Sequence, residues 1–154
     1  MPHAALLSTL LFLLPPALAD ATASELERRT LAAVNVERAR HQLPPLHPLP
    51  ELDRLARRHS AYLFERGELS HQDAAGRTVG QRLEAAGLPF RRAGENVAMN
   101  DNADDLAARA VAGWLRSPGH RANILDPGFS HVGTGVYGRD GRYYFTQIFY
   151  TPRP

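Results

Sequence analysis

The sequence predicts an α+β domain in which helices come first and a small antiparallel sheet follows, sandwiched among them. Apolar residues recur at helical spacing through the N-terminal and middle parts of the chain. Beyond residue 131 the period changes to alternation, in runs 132–137 and 142–150, with Gly138-Arg139-Asp140-Gly141 between them. That pattern signals a hairpin. Both faces of the second run are bulky: Tyr143, Phe145, Gln147 and Phe149 share one, and Arg142, Tyr144, Thr146, Ile148 and Tyr150 the other. A strand with two such faces belongs in the middle of a sheet, covered by helices on each side.

Each helix has local signals. Ser24-Glu25-Leu26-Glu27 reads as a capping box, with Ser24 accepting from the third helical amide while Glu27 reaches back. The helix it opens stops before Pro44-Pro45. Pro50 suits the first turn of a second helix, whose apolar face is Leu52, Leu55, Ala56, His59, Tyr62 and Leu63 and which Gly67 ends. Residues 78–86 form a short third helix closed by Gly87 and Pro89, and 90–98 is strand-like. Asp101 or Asn102 caps a helix bearing Leu106, Ala110, Val111, Trp114 and Leu115 on one side. Trp114 serves as a core anchor. Ser117-Pro118 restarts a short helix through Leu125, with Ser117 as its N-cap rather than a catalytic hydroxyl, and Asp126-Pro127-Gly128 turns the chain.

Composition removes several function classes. The 154 residues contain no Cys, and all 18 basic residues are Arg. Thiolate metal sites, disulfide staples, a cysteine nucleophile, a Schiff-base lysine and a P-loop lysine are therefore excluded. A net charge of +2, with arginines and carboxylates interspersed, gives no footprint for nucleic acid. Residues 4–14 are almost wholly apolar, then come Pro15-Pro16 and Ala17-Leu18-Ala19. The run is too short to span a bilayer and ends in small residues, so residues 1–19 read as a cleaved export signal. Its weak point is an n-region offering only His3 and the amino terminus. The remaining chain suits one domain, 24–151, exported to periplasm, envelope or medium, with no membrane span and expected to be monomeric.

Two motif matches fail on context. Gly133-Thr134-Gly135-Val136-Tyr137-Gly138 fits the dinucleotide fingerprint, which works only where a strand meets a helix N-terminus. Here a hairpin follows, so the glycines are expected to let a strand approach its neighbours closely. Asp101, Asp104 and Asp105 lack the turn Gly and distal Glu of a calcium loop and read as acids enriched at a helix start. What remains is Ser70-His71 in a loop, Glu95-Asn96 among apolar residues, and His120 in the first turn of the short helix. A buried carboxylate needs a partner, and an imidazole supplies one. His and Glu side chains also bind zinc, or they simply satisfy core polar atoms. His59 and His131, the latter expected near the cleft rim, are further candidates to join such a site.

Gly94-Glu95-Asn96-Val97-Ala98, Trp114 and the run from Ser117-Pro118-Gly119-His120-Arg121-Ala122-Asn123 to Ile124-Leu125 resemble the CAP superfamily. That group unites the cysteine-rich secretory, antigen 5 and pathogenesis-related 1 proteins and is also called SCP-like. The likeness extends to Asn35, Arg38, Pro45-Leu46, Leu55, Ala56, His59, Ser70-His71, Phe129, Gly133, Gly135 and the 144–149 strand. The chain is similar above all to short, cysteine-free, exported bacterial members. The resemblance implies a three-layer α-β-α sandwich with a cleft lined by two histidines and two glutamates. His71, Glu95 and His120 fall on three of those positions, and Ser117 stands at the fourth, where a carboxylate is lost. Asn96, Arg121 and Asn123 are supporting residues by the same likeness.

Three functions follow as expectations. The first is a non-enzymatic envelope or extracellular binding module, taking a lipid, glycan, small molecule or envelope protein in the cleft, with Arg121 and the amide end of the short helix favouring an anionic group. The second is a zinc- or other divalent-metal-dependent hydrolase with His71 and His120 as ligands and Glu95 as ligand or base. The third is a polar network that pins the sheet to its helices.

Overall fold

The computed structural model describes residues 16–154, with side chains from Thr22 onward. The export signal expected over residues 1–19 lies for the most part outside the described residues. Five helices and four strands follow in the order α1 (Pro16–Arg40), β1 (His47–Pro48), α2 (Pro50–Arg66), α3 (Val79–Ala85), β2 (Phe90–Asp101), α4 (Leu106–Arg116), α5 (Pro118–Ile124), β3 (His131–Arg139) and β4 (Arg142–Pro152). The sheet order is β1-β3-β4-β2. β4 pairs antiparallel with β3 and β2, whereas the two-residue β1 pairs parallel with β3. The sheet is therefore mixed rather than purely antiparallel. Two residues carry no alternation, so β1 had no sequence signal.

β4 is central, and nine of its residues are buried. One face carries Tyr143, Phe145 and Phe149 against Leu26 and Val34 of α1, Ala110 and Trp114 of α4, and Ile124 of α5. The other carries Tyr144, Ile148 and Tyr150 against Leu52, Ala56 and Leu63 of α2 and Leu83 of α3. This is the three-layer α-β-α sandwich. The glycines of β3 explain how α2 lies so close. A Cβ on Gly133 would stand 2.3 Å from the Leu52 carbonyl carbon, and one on Gly135 2.0 Å from the Arg57 backbone nitrogen.

Helix ends follow the sequence in part. Gly67 closes α2 at φ 70°, and Thr78 and Gln81 form a reciprocal capping box on α3. The box expected at Ser24 does not form, because α1 begins further upstream and Ser24 lies inside it. Glu27 is instead drawn to tertiary partners: Arg57 at 2.8 and 2.6 Å and the Val136 amide at 3.0 Å. The cap of α4 is Asp105, accepting from Ala108 N, rather than Asp101 or Asn102. Asp101 closes a longer β2 opposite Arg142. Ser117 holds the N-cap position of α5, but its hydroxyl makes no capping bond.

Side chains pair with several backbone groups along both sheet edges, which matters because unpaired edge amides and carbonyls invite other strands. Beyond the short β1, the β3 amides of Thr134 and Val136 donate to Asp53 and Glu27, and Ser60 Oγ donates to the Gly135 carbonyl. On β2, Asn123 Nδ2 donates to the Glu95 carbonyl at 3.3 Å and Trp114 Nε1 to the Val97 carbonyl at 3.0 Å. The latter two contacts dock α4 and α5 along the strand that carries the candidate site.

Candidate functional site

Glu95 and Asn96 are neighbours on β2 and point to opposite faces of the sheet. Glu95 lies opposite Ile148 and shares its α2/α3 face; Asn96 lies opposite Gln147 and faces α5. Asn96 is fully buried, donates to the His120 carbonyl at 3.0 Å, and accepts from Asn123 Nδ2 at 2.9 Å. It thus fastens the first turn of α5, which carries His120. Gly94 permits that approach, since a Cβ there would stand 2.8 Å from Asn123 Oδ1. At the far end of α5, fully buried Arg38 donates to the carbonyls of Pro44, Ile124 and Asp126.

Glu95 collects partners from three elements. Its Oε1 lies 3.0 Å from His71 Nδ1 and 3.7 Å from His59 Nε2, and its Oε2 accepts from Arg82 at 2.6 Å. Arg82 also reaches the His71 carbonyl at 3.3 Å. The carboxylate is 2% exposed and the His71 side chain 58%, so the acid is buried and the imidazole reaches the surface above it. The His71 and His120 rings stand 6.2 Å apart, centroid to centroid. Side chains from the 67–78 loop, β2 and α5 therefore meet in one cluster.

The three imidazoles are tuned differently. The hydrogen bond that His71 Nδ1 donates to Glu95 raises the pKa of His71 above the ordinary imidazole value, against a smaller opposing effect of burial. Burial lowers that of His120, and the neighbouring His71 adds to the lowering. Burial lowers that of His59 as well. His59 Nε2 donates to the Ser70 carbonyl at 2.8 Å, leaving Nδ1 buried without a partner among the described residues.

Among the residues the sequence suggested, the structure joins His71, Glu95 and His120, supported by Asn96 and Asn123. Among the described residues Ser117 makes backbone hydrogen bonds, to Trp114 and Arg121, and its side chain none. The Arg121 side chain makes no hydrogen bond or ion pair with the cluster among the described residues. His131 is not at the rim. It sits on β3, separated from β2 by β4, with Ser130 Oγ at 2.8 Å and His47 and Tyr150 as ring neighbours. Arg82 was missed. Its signal was indirect: a carboxylate among apolar residues requires a cation, and α3 offers an arginine beside a core leucine.

For a divalent ion, this arrangement does not assemble the three-ligand centre of His71, Glu95 and His120. Glu95 is engaged through both oxygens, and among the described residues no group of three or more His, Asp or Glu side chains converges to hold an ion. The two imidazoles are what the cleft presents.

The model of the CAP, cysteine-rich secretory protein family matches residues 31–149. The chain is 30% identical to an uncharacterized protein, YkwD, of Bacillus subtilis over 76% of its own length and 44% of the relative's. It is 37% identical to an uncharacterized membrane protein, YlbC, of the same organism over 80% of its length and 34% of the relative's. The chain thus spans less than half of either. A solved extracellular protein with an SCP domain from Bacillus anthracis superposes with a TM-score of 0.79 at 31% identity, covering 90% of this chain and 44% of that one. The match of the family model across the helices, the sheet and the cleft shows that this chain belongs to the cysteine-rich secretory protein, or CAP, family.

Proposed function

We propose that the chain is an exported, non-enzymatic binding module whose His71–Glu95–His120 cleft takes a polar or anionic group from an envelope lipid, glycan or protein. The observation that carries this reading is the engagement of Glu95. With Arg82 at 2.6 Å and His71 at 3.0 Å, the carboxylate is held by a cation and an imidazole and is 2% exposed. A general base needs free reach to a substrate proton, and this group lacks it. What the cluster offers outward is His71, whose pKa the bond to Glu95 raises, beside His120, whose pKa burial lowers. Two imidazoles with opposite shifts supply donors and an acceptor suited to an oxyanion or hydroxyl. Export is supported by the solved SCP-domain relative described as extracellular.

The test is native purification followed by mass spectrometry of what co-purifies, beside the His71→Ala/His120→Ala variant. Enrichment of one envelope component by the parent chain alone supports the reading. Equal recovery from both chains overturns it. A second reading, a divalent ion between the two rings, draws on the Glu95 bond to His71 Nδ1, which orients that ring with Nε2 free. Zinc titration at pH 7.5 with the parent and His120→Ala decides it: heat lost on the substitution supports the reading, and no heat from the parent disposes of it.

A further inference from the structure

A concavity of about 300 Å³ opens between α2 and α3. Leu55, Arg58 and Tyr62 of α2, Arg77 of the intervening loop, and Arg82 and Ala85 of α3 wall it. It is distinct from the cleft, since His71, Glu95 and His120 do not line it, but Arg82 and His59 border both.

One charge is left over. Three guanidinium groups meet the cavity; Arg77 pairs with Asp73 and Arg82 with Glu95, which leaves Arg58 uncompensated. Asp73 is fully occupied: Oδ2 accepts from Arg77 Nε at 2.9 Å, and Oδ1 takes the amides of Ala75 and Arg77 at 3.0 and 2.9 Å. Arg58 is exposed and forms no ion pair among the described residues. Arg82 gives Nη2 to Glu95, while its Nε and Nη1 are buried with no partner among the described residues. His59 Nδ1 is in the same condition. Orphaned buried polar atoms are uncommon in folded proteins and call for an explanation such as a bound group. Here three of them belong to two residues bordering one cavity.

We propose that this cavity binds a small organic anion, with its carboxylate or phosphate group drawn to Arg58 and Arg82 and a short apolar or aryl body against Leu55, Tyr62 and Ala85. The volume lies at the low end for small-molecule sites, so the body is compact. Arginine suits the charged end because its planar fork matches such oxyanions. The site is independent of what the His71–His120 cleft takes.

The experiment is an NMR titration of the intact chain labelled at alanine methyls, reading Ala74, Ala75, Ala85 and Ala86, with phenyl phosphate, inorganic phosphate and phenol as probes. Phenyl phosphate is expected to give saturable shifts at these methyls, with phosphate and phenol each weaker by about tenfold or more. Arg58→Gln weakens phenyl phosphate by about tenfold, and Ala85→Phe abolishes it by filling the cavity. Both positions are exposed, so an unchanged melting temperature verifies the fold. His71→Ala/His120→Ala retains binding. The proposal is overturned if phenyl phosphate produces no saturable shift up to about 10 mM, or if phosphate alone binds as well. It is equally overturned if the histidine substitutions remove binding while Arg58→Gln and Ala85→Phe do not.

Discussion

Arg82 of α3 and Glu95 of β2 form an ion pair at 2.6 Å with side chains only 6% and 2% exposed. It ties a seven-residue helix to an edge strand and sits beneath both the imidazole cleft and the α2/α3 cavity. Burying two charges is costly, and their attraction compensates only while both are present.

Removing one partner therefore strands the other. Glu95→Gln is expected to cost about 3–5 kcal/mol, read by urea unfolding, because Arg82 keeps its charge without a counter-ion. The double substitution Arg82→Met/Glu95→Leu should recover most of that loss. A single-variant cost below about 1 kcal/mol would show that the pair is solvated and structurally dispensable.

Opposite shifts of the histidines give stability an optimum. His71 has a raised pKa, so its contribution is complete below about pH 6.5 and is lost as pH rises through the folded value. His59 and His120 have lowered values, so theirs are intact above about 6.5 and are lost as pH falls through the folded values. Stability owed to these rings should peak between the two regimes. His71→Ala should remove the decline on the alkaline side and move the NMR titration of His120 partly back upward, burial remaining its larger cause. An unmoved His120 titration would show that the rings are electrostatically independent.

The architecture was legible wherever one period dominated. The two bulky faces of β4 gave its central place, and Pro50 and Gly67 bounded α2. Caps were less legible because tertiary partners compete for the same side chains. Glu27 serves Arg57 and Val136 instead of Ser24, and Asp105 rather than Asp101 starts α4. The meeting of His71, Glu95 and His120 came from family resemblance, since nothing in their spacing brings a loop, a strand and a helix together. Arg82 escaped because its partner lies across the gap between α3 and β2, a distance that no local pattern encodes.

Asn96 holds α5 by its side-chain amide, so its loss should act on the cleft as well as on stability. Asn96→Ala leaves the His120 carbonyl without its donor and reduces the Asn123 amide to its longer bond to the Glu95 carbonyl, at about 1–3 kcal/mol. The diagnostic readout is His120, whose resonance should lose its dependence on His71 as the first turn of α5 loosens. Preserved coupling together with the full stability loss would assign Asn96 to the core alone.

Glycine positions give the sharpest contrast between space and conformation. Gly135→Ala places a methyl 2.0 Å from the Arg57 backbone nitrogen and 2.2 Å from the Ala56 carbonyl carbon. Backbone cannot rotate away as a side chain can, so α2 must lift from the sheet. The expected cost is about 3 kcal/mol, the upper part of the range for overpacking, or failure to fold. Gly113→Ala is the counterpart within α4: a Cβ there meets nothing within 4 Å, and replacing a mid-helix glycine by alanine should stabilise by about 0.5–1 kcal/mol. Melting temperatures of the two variants should therefore move in opposite directions. If Gly135→Ala melts near the parent, α2 does not pack directly on β3, and the close helix-to-sheet contact that orients His59 towards Glu95 is wrong.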